Sequence, residues 1–320
     1  MNMNPQPDWL SRLISMMTVR GQLELRCSYG APWDVVYDES NAGEMPYHVI
    51  LSGTALLESP GTGRAQQLGA GDIVMFPHGS GHVLHDGSGV SPAPAHYLGD
   101  LNLTYSENTG TGERLDMLCG RFILAPPHDR FIRDYLPTRL VVRTSTGGDS
   151  RRSETSTQLA GLLALMRAES NSIHLGGHAM LNALSAALFT LTLRMASESD
   201  EAPIGLLALV GHPRLAPALT AMFSDPAHPW TLPELAGLCN MSRATLVRHF
   251  QEKVGRSAND LLTGIRMTLA ANELKNPNAS TEAVAETVGY QSVAAFRRAF
   301  SHHMGMTPGE WRRSNRLNQN

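Results

Sequence analysis

The stretch GYQSVAAFRRAF, residues 289–300, decides how this chain is read, because it has an echo upstream. When TEAVAETVGYQSVAAFRRAF (281–300) is set against LPELAGLCNMSRATLVRHF (232–250), Leu235, Ala236, Cys239 and Met241 match Val284, Ala285, Val288 and Tyr290 at an offset of 49. Past the turn the offset is 50, pairing Ser242, Leu246, Arg248 and Phe250 with Ser292, Phe296, Arg298 and Phe300. Each copy predicts a helix, a tight turn and a second helix. Ala236 and Ala285 let two helices approach closely, and Asn240 and Gly289 accept the left-handed backbone of a sharp turn. Ser242 and Ser292 are N-caps whose hydroxyls satisfy amides at the start of the second helix. Leu246/Phe250 and Phe296/Phe300, spaced four apart, form its buried stripe.

The face left over carries Ser242, Arg243, Ala244, Thr245, Val247 and Arg248 in the first copy. In the second it carries Ser292, Val293, Ala294, Arg297 and Arg298. Neither set offers a general acid or base, so its Ser and Thr hydroxyls have nothing to activate them as nucleophiles. Small side chains near a helix start permit close approach to base edges, and arginines bond guanine or phosphate, as a helix in the major groove must do. A plain helical hairpin with solvated arginines would show the same pattern once. Here it occurs twice, on a segment (228–320) with 11 Lys/Arg against 7 Asp/Glu, a balance of +4 that leaves −7 for residues 1–227. That polarity favours a polyanionic partner at one end only.

Residues 210–315 resemble the AraC/XylS family of bacterial transcription regulators. The resemblance rests on Gly289, Tyr290, Phe296, Ala299, Phe300, Gly305 and Pro308, and on GIRMTLAANEL (264–274), which is similar to the family's linker helix through Arg266 and Ala270. It implies two helix-turn-helix units on one rigid spacer, reading successive major-groove segments about 34 Å apart on double-stranded promoter DNA. It also implies RNA polymerase as a second partner.

The 320 residues are 42 % hydrophobic, enough for two domains with separate cores. Residues 20–145 break into short apolar runs (LELRCSY, WDVVY, YHVILSG, TALLESP, DIVMFPHGSGHVL, HYLGDL, RLDMLCGRFIL) separated by turn residues, which predicts a small β-barrel or sandwich. STGGDSRRSETS (145–156) reads as a loop, residues 157–169 and 178–196 as helices, and SESDEAPI (197–204) as a polar linker. The expected fold is therefore α+β. A cupin-like sensor barrel (1–150) is followed by a helical dimerisation and linker segment (151–200). An all-α domain (205–318) then carries two helix-turn-helix motifs joined by a linker helix. Leu184, Leu188, Phe189 and Leu191 are expected to face a second copy, making residues 157–196 a homodimer contact or, alternatively, a helix packed on its own barrel. No apolar run reaches eighteen residues and MNMNPQPDWLSRL lacks a secretion signal's basic start, so a cytoplasmic chain without membrane association is expected.

GAGDIVMFPHGSGH (69–82) fits the second cupin motif through Gly71, Pro77, Gly79 and His82. The first motif is degenerate: with Gly53 as its closing glycine, Pro46 occupies the glutamate ligand's place, no H-x-H precedes it, and His48 lies two residues on. An iron or manganese dioxygenase site is thereby disfavoured, and a sensor is favoured over the competing reading, a cupin metalloenzyme with a DNA-binding tail. The barrel is similar to that of AraC-family activators responding to reactive chlorine species, with His48, His82 and Cys119-Gly120 at the matching places and Cys27 added. The resemblance implies a redox sensor made of Cys27 and Cys119, or a zinc or other divalent ion shared by His48, His82, Cys27 and Cys119. A barrel that binds a small organic effector, with both cysteines as core residues, is the alternative. Cys239, the third cysteine, matches Val288 and is expected in the core of the first motif.

Overall fold

The computed structural model describes residues 8–59, 65–144, 154–199 and 205–317. The chain runs through α1 (Trp9–Met17), β1 (Val19–Gly30), β2 (Asp34–Tyr37), β3 (Glu44–Ser52), β4 (Thr54–Glu58), β5 (Gln66–Gly69), β6 (Asp72–Met75) and β7 (His82–His85). It continues with β8 (Ala95–Gly99), β9 (Thr104–Asn108), β10 (Arg114–Leu124), α2 (His128–Tyr135), β11 (Leu140–Arg143), α3 (Glu154–Glu169) and α4 (Gly177–Glu198). Eight further helices follow: α5 (Leu206–Val210), α6 (Ala216–Ser224), α7 (Leu232–Leu238), α8 (Arg243–Val254), α9 (Ala258–Glu273), α10 (Thr281–Thr287), α11 (Val293–Met304) and α12 (Pro308–Leu317).

The β-rich unit spans Val19–Leu124 and Pro137–Ser199. Its seven-stranded sheet has the order β11-β6-β3-β10-β1-β9-β8, and a second sheet of four has the order β2-β7-β4-β5. Inward-facing Tyr29, Trp33, Ile50, Leu57, Phe76, Leu84 and Met117 build the core together with Cys27 and Cys119. The helix α4 is long and apolar enough to cross a bilayer by length and composition alone. Its apolar side instead lies on the sheet, where Leu184, Leu188 and Phe189 are buried. A side chain at Gly21 of β1 would sit 2.3 Å from the Ala186 amide, so glycine is what lets helix and strand touch. At the register shift in β1, the Leu23 amide donates to the Asn182 side chain at 3.1 Å, replacing a ladder bond.

The helical unit comprises α1, α2 and α5 to α12. Both units are thus discontinuous in sequence, which the expected linear division does not describe. The expected boundaries at 150, 200 and 318, residues 145–153 of the expected loop and residues 200–204 of the expected linker lie outside the described residues. The reason α1 and α2 join the helices is burial. Leu10, Leu13, Met16 and Met17 of α1 and Phe131, Ile132 and Tyr135 of α2 are all buried. The Asn272 side chain of α9 donates to the Met16 carbonyl at 2.7 Å, and Tyr135 packs where any side chain at Gly264 would be, 3.3 Å away.

Around α9 sits the second core: Met267, Ala270, Ala271, Leu274, Val284, Ala285, Val288, Phe296, Phe300 and Trp311. The indole of Trp311 donates to the Ala271 carbonyl at 2.9 Å. On its other side α9 presents Arg266, whose guanidinium donates to the carbonyls of Pro226 (2.6 Å) and His228 (2.9 Å) and lies over the Tyr290 ring at 5.7 Å. One side chain therefore ties the segment entering the first motif to the turn of the second. Arg266→Ala is expected to cost about 2 kcal/mol, because its charge-assisted bonds to the Pro226 and His228 carbonyls are lost together. Denaturant unfolding of the helical unit measures it.

Candidate nucleic-acid interface and sensor site

The two motifs are built alike. Ser242 and Ser292 have extended backbones and accept from the amides of Thr245 (3.2 Å) and Ala295 (3.4 Å). Asn240 (φ 49°) and Gly289 (φ 82°) make the turns left-handed, and a side chain at Gly289 would lie 2.2 Å from the Ala227 carbonyl oxygen. Leu246, Phe250, Phe296 and Phe300 are buried, and so is Cys239. Both α8 and α11 end on a left-handed glycine, Gly255 and Gly305.

The opposite faces are open. Ser242, Arg243, Ala244, Val247 and Arg248 are exposed, as are Ser292, Ala294, Arg297 and Arg298, while Thr245 and Val293 are half-buried. The Thr245 hydroxyl is engaged with that of Ser242 at 2.9 Å. Arg248 pairs with Glu252 at 3.7 Å and Arg297 with Glu282 at 3.4 Å, both between exposed groups. Such pairs are weak enough to yield to a phosphate or a guanine edge.

In the β-rich unit, β1, β3, β7 and β10 bring the predicted residues Cys27, His48, His82 and Cys119 near one another. Cys119 of β10 lies opposite Leu25 of β1, and Cys27 lies opposite Met117. The two cysteines are diagonal neighbours on one sheet face, both buried. Burial, reinforced by the Cys27 thiol beside it, pushes the Cys119 thiol well above its usual range, although the Tyr37 hydroxyl opposes this by donating to the sulfur at 3.3 Å. His48 of β3 and His82 of β7 approach Nε2 to Nε2 at 2.7 Å. The His82 ring is stacked between Phe76 (3.7 Å between centroids) and Tyr37 (4.8 Å). Burial depresses both imidazoles, His48 well below its ordinary value and His82 to about 4. Tyr37 and Phe76 were not singled out from sequence. Tyr37 closes the WDVVY strand just before a polar loop, and only the closing of the barrel shows that it joins Cys119 to His82.

The metal reading does not fit this donor set. Among the described residues no three His, Cys, Asp or Glu side chains form a group that could hold an ion. Two nitrogens on one tetrahedral zinc would stand about 3.3 Å apart, whereas His48 and His82 are at hydrogen-bond distance and Cys119 is engaged by Tyr37. The dimer expectation also changes. Leu184, Leu188 and Phe189 are spent on the chain's own sheet, and Leu191 is half-buried.

A β-rich unit with a cupin turn, combined with two equivalent capped helix-turn-helix units, defines the class of two-domain DNA-binding transcription regulators. Comparison with known proteins agrees: residues 8–198 match the family model described as Cupin, and residues 235–314 the one described as a helix-turn-helix domain. An uncharacterized HTH-type transcriptional regulator of Haemophilus influenzae is 29 % identical over 96 % of this chain and 99 % of its own. The RCS-specific HTH-type transcriptional activator RclR of Escherichia coli is 28 % identical over 95 % and 97 %. The HTH-type transcriptional regulator MtrA of Neisseria gonorrhoeae is 29 % identical over 96 % and 98 %. The chain belongs to the AraC family of transcription regulators, among members with a cupin-type N-terminal domain.

Proposed function

We propose that this regulator is a cytoplasmic activator that reads promoter DNA through α8 and α11 and is switched by oxidation of Cys27 and Cys119. The observation that carries the DNA reading is the pair of matching exposed faces, each set by the same serine cap and left-handed turn, on either side of the 16-residue α9. At 1.5 Å per residue, α9 spans about 24 Å, a scale suited to holding two readers in adjacent grooves. Arg243, Ala244, Val247 and Arg248 would enter one groove, and Ala294, Arg297 and Arg298 the next. RNA polymerase would be recruited beside them. Arg248→Ala and Arg298→Ala should each weaken binding to the operator by about 1–3 kcal/mol. Fluorescence anisotropy on operator and scrambled duplexes checks this. Equal loss on both duplexes would reassign the arginine to phosphate contact, and no loss on either would overturn the groove assignment.

For the switch, the supporting facts are the adjacency of two thiols on neighbouring strands and the relative named as an RCS-specific activator. Hypochlorous acid would take two electrons and two thiol protons' worth of hydrogen from the pair, leaving a disulfide, chloride, water and a released proton. Diagonal strand neighbours stand somewhat wider than a relaxed disulfide, so bridging would draw β1 and β10 into a new local geometry. Mass spectrometry after one equivalent of hypochlorite should find Cys27 linked to Cys119. Promoter activation with both thiols intact would overturn the switch.

A homodimer would use the outer faces of α3 and α4, where Ala160, Ala164, Leu165, Met180, Ala183 and Ala187 are exposed. Sedimentation of the full chain against Leu165→Arg tests it. A wild-type monomer at micromolar concentration would overturn it.

A further inference from the structure

Asn240 and Gly289 hold the same place in the two turns, with φ 49° and 82°. Asparagine is among the few residues that accept a left-handed backbone, so the turn alone does not explain why the second copy has no side chain there. The explanation lies across from it. A Cβ at Gly289 would stand 2.2 Å from the Ala227 oxygen and 2.8 Å from the Ala227 carbonyl carbon and Cα, all of them backbone atoms that cannot swing aside. Ala227 belongs to the segment that leads into the first motif. The turn of the second copy is therefore pressed against the entry of the first.

That entry segment is braced from within. The Trp230 indole donates to the Asp225 carbonyl at 2.8 Å, the His228 amide donates to the Asp225 carboxylate at 3.1 Å, and the His228 and Trp230 rings lie 4.2 Å apart between centroids. Thr231 follows at once as the N-cap of α7, boxed with Glu234. From α9, Arg266 grips the same segment by the Pro226 and His228 carbonyls and rests over Tyr290, whose ring stands edge-on to Phe296 of α11 at 5.7 Å. A continuous set of contacts thus runs from the cap of the first motif to the ring that seats the second reader.

We propose that Gly289 and Arg266 fix which spacing of DNA half-sites this protein accepts, an inference that rests on α8 and α11 being the readers. Both are positioning residues, acting through the two helices and not on the bases. One base pair more or fewer between half-sites moves the second by about 3.4 Å along the duplex and turns it by about 35°. Readers joined only through α9 and the loops 255–257 and 274–280 would follow part of that change by bending. Readers also braced turn against entry segment cannot follow it without breaking the Arg266 bonds or parting Gly289 from Ala227.

A duplex selected from a random-sequence pool by the full-length protein serves as the probe, with versions carrying one base pair more or fewer between its two half-sites. Wild-type protein should lose about tenfold or more in affinity for either change, read by fluorescence anisotropy. Gly289→Asn installs the residue that the first copy uses at this place, so the turn stays feasible while the junction is forced apart. It should bind the parent duplex more weakly and distinguish the three spacings by less than about threefold. Arg266→Gln attacks the junction from α9 with the turn intact and should flatten the profile likewise, which decides the matter if Gly289→Asn does not fold. Asn240→Gly, the reciprocal exchange, should keep the wild-type profile. In DNA-free protein diluted with unlabelled chain, spin labels at Ala244→Cys and Ala294→Cys should give a narrow distance distribution that broadens in either junction variant. A wild-type spacing profile in the folded junction variants, or an unbroadened distance, would overturn the proposal. Selection of no duplex at all would sink the groove reading itself, whereas a selected duplex bound equally well at all three spacings would overturn only the proposed role of the junction.

Discussion

Phe296→Ala is expected to destabilise the helical unit by about 3–5 kcal/mol, the range for truncating a buried aromatic. Phe296 is fully buried, edge-on to Tyr290 at 5.7 Å and tilted against Phe300 at 5.6 Å, within the core that joins α9, α10 and α11. Few neighbours can collapse into the void, because Ala270, Ala271 and Ala285 are already small. Domains of this size hold only about 5–15 kcal/mol in total, so the loss takes much of the reserve. DNA affinity should fall with it, since α11 is oriented by that ring. Phe296→Leu, which keeps most of the volume, should cost less than half as much. Guanidinium unfolding followed by circular dichroism gives both numbers, and a cost below about 1 kcal/mol for the alanine variant would mean that the motif core repacks freely.

The second large effect is loss of stability in acid. The folded value of His82 is about 4, below its unfolded value of 6.5. Between those limits the unfolded chain binds the proton and the folded chain does not, so stability is complete above 6.5 and declines as pH falls towards 4. One such group yields about 1.4 kcal/mol per pH unit, or about 3 kcal/mol over the window. His48 is shifted in the same direction by burial and by His82, and adds to the slope. His128 in the helical unit, also depressed to about 4, gives that unit its own acid sensitivity. Unfolding free energies at pH 7, 6, 5 and 4 should fall steadily. The slope should flatten in His82→Gln even though that variant starts lower, and an unchanged slope would place the proton uptake elsewhere.

The DNA-binding half was legible from sequence because its cues are local. Caps at Ser242 and Ser292, turns at Asn240 and Gly289 and the four-residue stripe each act within one motif, and the duplication checks each against its counterpart. The first-motif Cys239 fell where its match to Val288 placed it. In the β-rich unit the strands that fall in the quoted apolar runs were legible even at four or five residues, but β5 (Gln66–Gly69), β9 (Thr104–Asn108) and β11 (Leu140–Arg143) were not, being defined by the strands they pair with. Cys27, Cys119, His48 and His82 were marked as residues of interest, yet which atoms meet depends on register. Cys119 sits two positions from Cys27 across β1 and β10, and the imidazoles find each other across β3 and β7. Helix α1 has apolar residues at helical spacing, Leu10, Leu13, Met16 and Met17, but nothing local to its sequence says which unit will cover them.

Helices α1 and α2 carry a consequence for any attempt to dissect or recombine this protein. A fragment beginning near residue 205 would leave behind Leu13, Met17, Phe131 and Ile132, stripping a layer from the hydrophobic interior of the DNA reader. The complementary fragment would carry those greasy helices with nothing to cover them and should tend to aggregate. Hybrids that graft this β-rich unit onto a foreign reader therefore need residues 9–17 and 128–135 to travel with the native reader. The gene cannot be cut once between its two units, so the modular unit available to evolution, and to the protein engineer, is larger than the reader's continuous stretch of sequence.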